Sequence, residues 1–155
     1  MKMKFSREFF VIFAGLTLFS LFCERKSQPV PVSGTAWETD VNQGLDQAKE
    51  LNKPALLAFT ATWCPYCQQM KDSVWTDSLV IETTKSFVPI WVDVDSSAEI
   101  ANTYHANARE YGGTGIPNML FLNTRGDSLL HLVGFYSADS LVYFMNQTLD
   151  HIKNQ

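Results

Sequence analysis

Basic side chains are in short supply. The 155 residues carry 12 Lys and Arg against 16 Asp and Glu, a formal charge of -4. No clustered basic face is visible, which argues against nucleic acid as a partner, since phosphate binding depends on such clusters. Cysteines are scarce too. There are three, too few for the framework of bridges that holds small secreted domains together. A second C-x-x-C is missing, and His105, His131 and His151 stand apart without paired ligand spacing, so a zinc site has no full ligand set. The chain also has no internal repeat and no apolar run of the ~20 residues that a membrane-spanning helix needs. What it does have is 46% hydrophobic and 13% aromatic residues, enough for one compact core and hardly for two.

Lys2, Lys4 and Arg7 precede an almost unbroken apolar run over residues 9–22, the charged region and hydrophobic region of an export signal. Residues 1–22 are therefore expected to be a signal peptide or membrane anchor. Residues 23–36 contain Pro29, Pro31, Ser33 and Gly34 without periodicity and are expected to be a flexible tether. Residues 37–155 form the expected domain. Phe19-Ser20-Leu21-Phe22-Cys23 resembles the cleavage box of bacterial lipoproteins, which makes Cys23 the candidate lipidation site, although Phe22 departs from the small residue usual there. The alternatives are an uncleaved anchor and a signal removed near Ala36. All three place the domain outside the cytoplasm. Without its first 22 residues the chain keeps 9 basic against 15 acidic side chains, because Lys2, Lys4, Arg7 and Glu8 are lost.

Within the domain, Val41, Leu45, Ala48 and Leu51 recur at helical spacing after Asp40, a good N-cap, and predict a helix over 41–51. Residues 55–59 are continuously apolar, as a strand covered on both faces must be. The C-x-x-C follows at a strand-to-helix junction, with helix expected over 68–74. A second strand is expected over 87–94, where Pro89 fits best near a strand start or an edge. Helix is expected over 98–111 up to the Gly112-Gly113 stop, then a hairpin of strands 119–122 and 129–133 around Asn123-Thr124-Arg125-Gly126-Asp127. Leu141, Phe144, Met145, Leu149 and Ile152 give a closing amphipathic helix.

The chemistry lies in Cys64 and Cys67. Two cysteines two residues apart at a helix start bring their sulfurs within bonding distance, and the amides of the first turn favour a thiolate on the first. Cys64 is accordingly read as the nucleophile, exposed, and Cys67 as the resolving thiol, covered. Pro65 suits the first helical turn, where no amide partner is required. An inert structural bridge is the alternative, but so small a loop stabilises little by the loop-entropy argument. Trp63, Pro65, Tyr66, Ile116 and Pro117 are the candidate substrate-binding residues: Tyr66 as a docking aromatic, Trp63 more for packing, and Ile116 with Pro117 as presenters of backbone groups, their peptide bond expected to be cis and against Cys64. Asp93, Asp95, Glu99, His105, Glu82 and Lys85 read as solvated surface. No metal ligands are assigned.

Phe59-Thr60-Ala61-Thr62-Trp63-Cys64-Pro65-Tyr66-Cys67 resembles the active-site strand and turn of thioredoxins, and Gly115-Ile116-Pro117-Asn118-Met119-Leu120-Phe121 resembles their cis-proline loop. The two motifs stand in the right order, and the likeness covers residues 37–153. Asn52-Lys53-Pro54, Trp75-Thr76-Asp77 and Gly134-Phe135-Tyr136 are most similar to the C-terminal periplasmic domain of transmembrane thiol-disulfide interchange proteins. The resemblance implies a single α/β domain of thioredoxin fold, a central mixed sheet flanked by helices. It also implies an extracytoplasmic thiol-disulfide oxidoreductase that reduces or isomerises disulfides in exported proteins, needs no cofactor and draws on an upstream membrane electron donor. Three departures stand out, one being that the Cys-Pro-Tyr-Cys core is typical of glutaredoxins, although Trp63 and the longer chain favour the thioredoxin side. Ala58 occupies the place of a buried Asp that assists the resolving cysteine, and extra residues between Asp95 and Pro117 are expected to lengthen the helix around 98–111. A non-catalytic rival is a binding module, or a lipoprotein that holds copper(I) between two thiolates.

Overall fold

The computed structural model describes residues 34–104 and 115–154. Strand β1 (Ala55–Thr60) forms the middle of a four-stranded mixed sheet ordered β2-β1-β3-β4, with β2 at Val88–Asp93, β3 at Asn118–Leu122 and β4 at Ser128–Val133. β2 runs parallel to β1, while β3 and β4 are antiparallel neighbours. Every residue of β1 is buried. Both faces are covered, which is why its sequence shows no alternation. Leu57 and Phe59 join Ile90, Val92, Leu120 and Leu122 beneath helices α1 (Val41–Glu50) and α4 (Ala98–Thr103). On the other face Leu56 and Ala58 join Met119, Phe121 and Leu132 beneath α3 (Ser78–Thr84), α5 (Ala138–Lys153) and the Met70–Val74 turn that continues α2 (Pro65–Gln69). This is the expected single α/β domain of thioredoxin fold.

Caps set the helix starts. Asp40 accepts the Gln43 amide at 3.1 Å ahead of α1, and Ser137 accepts the Ser140 amide ahead of α5. Pro89 sits in β2 at the sheet edge, with its carbonyl accepting the Glu38 amide at 2.9 Å. A strand residue points its nitrogen and carbonyl to the same side, so the missing N–H faces away from β1 and costs the ladder nothing.

Two expectations need correction, and a third lies partly outside the described residues. The helix after the cysteines begins at Pro65 rather than residue 68 and widens into a π-helical turn over Met70–Val74, where the Trp75 amide donates to Met70 at 2.9 Å. Helix α3 has no counterpart among the expected elements. Its seven residues include Val80, Ile81, Thr83 and Thr84, β-branched types of weak helix propensity, and the helix is held by Asp77, which accepts the Leu79 and Val80 amides. The described part of α4 ends at Thr103, so residues 105–111 of the expected helix and the Gly112-Gly113 stop lie outside the described residues.

Candidate active site

The chain leaves β1 at Thr60 and reaches Cys64, which caps α2 in an extended conformation. Its carbonyl accepts the Gln68 amide at 3.1 Å, while its Sγ accepts the Cys67 amide at 3.2 Å. A sulfur at this position takes the role that an oxygen plays in an ordinary N-cap, and a hydrogen bond from an amide favours the charged form of the group receiving it. Pro65 occupies the first helical turn, where no hydrogen bond is lost. Cys64 and Cys67 are joined in a disulfide, with Cα atoms 5.2 Å apart.

Exposure does not separate the two sulfurs. Cys64 is 4% accessible and Cys67 2%, whereas the sequence predicts an open first sulfur. In this oxidised form the bond draws Cys64 Sγ onto its partner, and the Ile116 carbonyl lies 3.6 Å away on the other side. What distinguishes Cys64 is its capping position. The Ile116–Pro117 peptide bond is cis and stands against Cys64, as the sequence predicts. Gly115 just before it has φ +54°, a backbone region that residues with a Cβ rarely occupy. Across the loop the Pro117 carbonyl accepts the Gly134 amide at 2.8 Å, which ties the loop to the end of β4.

Trp63 and Tyr66 flank the pair. Trp63 is 64% exposed, so packing is not its role. Its indole N–H donates to Asp95 Oδ2 at 2.8 Å, and this anchor lets the ring stand over the surface without core contacts. Tyr66 is 59% exposed and its ring lies 6.5 Å from that of Phe135, itself 39% exposed. Trp63 and Tyr66 are thus exposed aromatics adjoining the cysteines in the chain, and Phe135 extends the Tyr66 side. Beneath the helix, Ala58 is buried with Leu56, Met70 and Met119, so apolar packing fills that position. Cys23 and His105 lie outside the described residues.

Local reading of the sequence missed Asp95, Phe135, Asn118 and His131. The Asp93 side chain accepts the amides of Asp95 and Ser96 in a tight turn, and that turn is what aims Asp95 at Trp63. Nothing in the spacing of 32 residues between Trp63 and Asp95 signals the contact.

The sequence profile of the Thioredoxin-like domain matches residues 41–149. The chain belongs to this family. It is 32% identical over 90 residues to the thiol:disulfide interchange protein DsbD of Campylobacter jejuni, a stretch covering 58% of this chain and 15% of that protein. The chain thus spans a small part of the length of the interchange proteins it matches. Thioredoxin H4 of Arabidopsis thaliana is 33% identical over 95 residues, 61% of this chain and 71% of the plant protein. Among solved structures, the oxidised c-terminal domain of DsbD from Neisseria meningitidis superposes with a TM-score of 0.57 at 25% identity, covering 73% of this chain and 99% of that domain. The DsbD relative is named for thiol:disulfide interchange, and this thioredoxin-like chain carries the bonded cysteine pair that such exchange requires.

Proposed function

We propose that this thioredoxin-family chain works outside the cytoplasm, attached to a membrane by its N-terminus, as an oxidoreductase that reduces or isomerises disulfides in exported proteins. Cys64 attacks and Cys67 resolves. The observation that carries the assignment is the capping geometry: of the two sulfurs, Cys64 Sγ is the one that receives an amide hydrogen bond at the helix start, which favours the thiolate that attacks. In the first step Cys64 thiolate displaces one sulfur of the substrate disulfide and forms a mixed disulfide. Cys67 then attacks Cys64 Sγ, releases the second substrate thiol and leaves the Cys64–Cys67 bond. Two electrons and two protons pass to the substrate, and a membrane dithiol donor restores the pair by the reverse exchange. The exposed aromatics Trp63, Tyr66 and Phe135 are the docking surface for the substrate chain, with Ile116 and Pro117 offering backbone groups beside the sulfur.

Support for the location comes from the charged and apolar N-terminal pattern of residues 1–22 and from the resemblance to periplasmic interchange domains. Among the described residues no helix is long and apolar enough to cross a membrane, so attachment falls to the segment before them, with Cys23 as the lipidated residue. Reduction of insulin by the purified protein tests the activity. Wild type should precipitate the insulin B chain, whereas Cys64→Ser and Cys67→Ser should not exceed free thiol. Equilibration with glutathione fixes the direction, with a potential near about -270 mV marking a reductant and one near about -120 mV an oxidant. For the attachment, a radioactive fatty acid should label the wild type and not Cys23→Ser; no label, or equal label, overturns lipidation.

A further inference from the structure

Asn118, the residue after Pro117, is fully buried on the β1 face that packs under α1 and α4, a polar side chain among Phe59, Leu57 and Leu120. A buried amide needs a reason to be there, because an unsatisfied group costs as much as a lost hydrogen bond. Its Oδ1 lies 2.6 Å from Nε2 of His131 on β4, while its Nδ2 has no partner among the described residues. The register explains the meeting. Asn118 pairs with Val133 and Leu120 with His131, so Asn118 and His131 are diagonal neighbours on one face of the ladder, within reach of long side chains. With the imidazole in its Nε2–H tautomer, the ring donates to Asn118.

This contact is the second tie between β4 and the proline loop, the first being the Gly134 amide on the Pro117 carbonyl. Both ties lie within two residues of the Ile116 carbonyl, the group that faces Cys64 Sγ at 3.6 Å. The ring of Pro117 fixes its own φ, so a shift of Asn118 is passed on to that carbonyl with little slack. We propose that Asn118 and His131 are positioning residues, which hold the Ile116 carbonyl against Cys64 and thereby restrain the reactivity of its thiolate. A carbonyl oxygen accepts from a thiol S–H but repels a thiolate, so its presence at the sulfur opposes the Cys67 amide. The inference rests on the attacking role given to Cys64 above.

The test is alkylation of the reduced full chain against pH, with the label at Cys64 and at Cys67 read separately by mass spectrometry. His131→Leu removes the donor, and the Cys64 midpoint should fall by about half a pH unit to one unit, the size expected for one polar contact. His131→Gln keeps an amide donor and should return the midpoint to the wild-type value. A midpoint unmoved in His131→Leu, or moved equally in His131→Gln, overturns the inference even where melting temperature changes. Wild-type protein gives a second measurement that does not depend on a variant folding: the imidazole resonances of His131 should move between the oxidised and reduced forms, with His151 on α5 as the internal control. A silent His131 is equally fatal. If Cys67 rather than Cys64 is the faster site in the wild type, the proposed function fails; if Cys64 is faster and the variants change nothing, only the positioning role does.

Discussion

Cys67→Ser, made with Cys23→Ser so that Cys64 is the sole thiol, isolates the group on which the mechanism depends. The substitution changes only a side chain and keeps the backbone amide of position 67, which lies 3.2 Å from Cys64 Sγ. A hydrogen bond to a charged acceptor contributes about 1.5 to 3 kcal/mol, or roughly one to two pKa units. Sulfur is a weak acceptor, which favours the lower end, and the Ile116 carbonyl at 3.6 Å takes part of the gain back. The net expectation is a Cys64 pKa about one unit below the ~8.5 of a free cysteine. At neutral pH that raises the thiolate fraction roughly eightfold, while the intrinsic nucleophilicity falls about threefold for a Brønsted slope near 0.45, so alkylation should run about threefold faster than that of a free thiol. Iodoacetamide rates between about pH 5 and pH 10 bracket that midpoint and give it directly. The same variant should collect substrate proteins on Cys64 as complexes that a reductant separates, because no internal thiol is left to release them. A midpoint at or above the free-cysteine value, or a Cys64→Ser variant that traps the partners instead, refutes the division of labour between the two sulfurs.

Asp95→Ala removes the acceptor of the Trp63 indole; an exposed hydrogen bond of this kind contributes about 1 kcal/mol, so the KM for a protein substrate should rise a few-fold with kcat nearly unchanged. Asp95→Asn keeps an acceptor oxygen and should recover most of that loss, and a fall in kcat alone would count against docking through Trp63. Phe121→Ala cuts a fully buried ring that meets Phe87 edge-on at 5.5 Å; urea unfolding should show a loss of about 3 to 5 kcal/mol, and a loss below about 1 kcal/mol would mean that this face does not carry the core. The Asp127 carboxyl in the β3–β4 turn is held below its ordinary value of 3.8, first by the Asn123 amide and then by the Arg125 guanidinium. A depressed pKa gives stability that is present above the ordinary value and lost as the pH falls through the folded one. The melting temperatures of wild type and Asp127→Asn should therefore converge between about pH 5 and pH 2, and a constant gap would exclude this carboxyl as the cause.

Much of the scaffold is legible in the sequence because its signals are local. Asp40 before an apolar helical period, the unbroken run into Phe59, and the turn residues between β3 and β4 each act within a few positions, and each forms the expected element. The differences arise where a short element owes its existence to something else. Helix α3 has β-branched residues and a single strong cap at Asp77, and packing of Val80 and Thr84 outweighs its propensity. The π-helical turn after Gln69 has no sequence signal of its own. The burial of Cys64 has none either, since the cover comes from its own disulfide partner and from Ile116, 52 positions away.

The same distinction runs through the site. A cysteine pair three positions apart and the amide that serves it belong to one turn of helix, so the chemistry can be read directly from spacing. The groups proposed to tune and present that chemistry come from separate parts of the chain: Asp95 after β2, Ile116 before β3, His131 on β4 and Phe135 beyond it. Strand pairing brings them together: the parallel pairing of β2 with β1 and the Asp93 turn carry Asp95, and the antiparallel pairing of β3 with both β1 and β4 carries the others. A one-residue slip of β4 would turn His131 to the opposite face and place an apolar side chain beside Asn118. The local motif therefore determines what reaction the sulfurs undergo. The amide that favours the Cys64 thiolate is local as well, while the long-range pairing supplies the Ile116 carbonyl that, on the proposal above, opposes it; a Cys-Pro-Tyr-Cys sequence by itself therefore does not fix potential or partner.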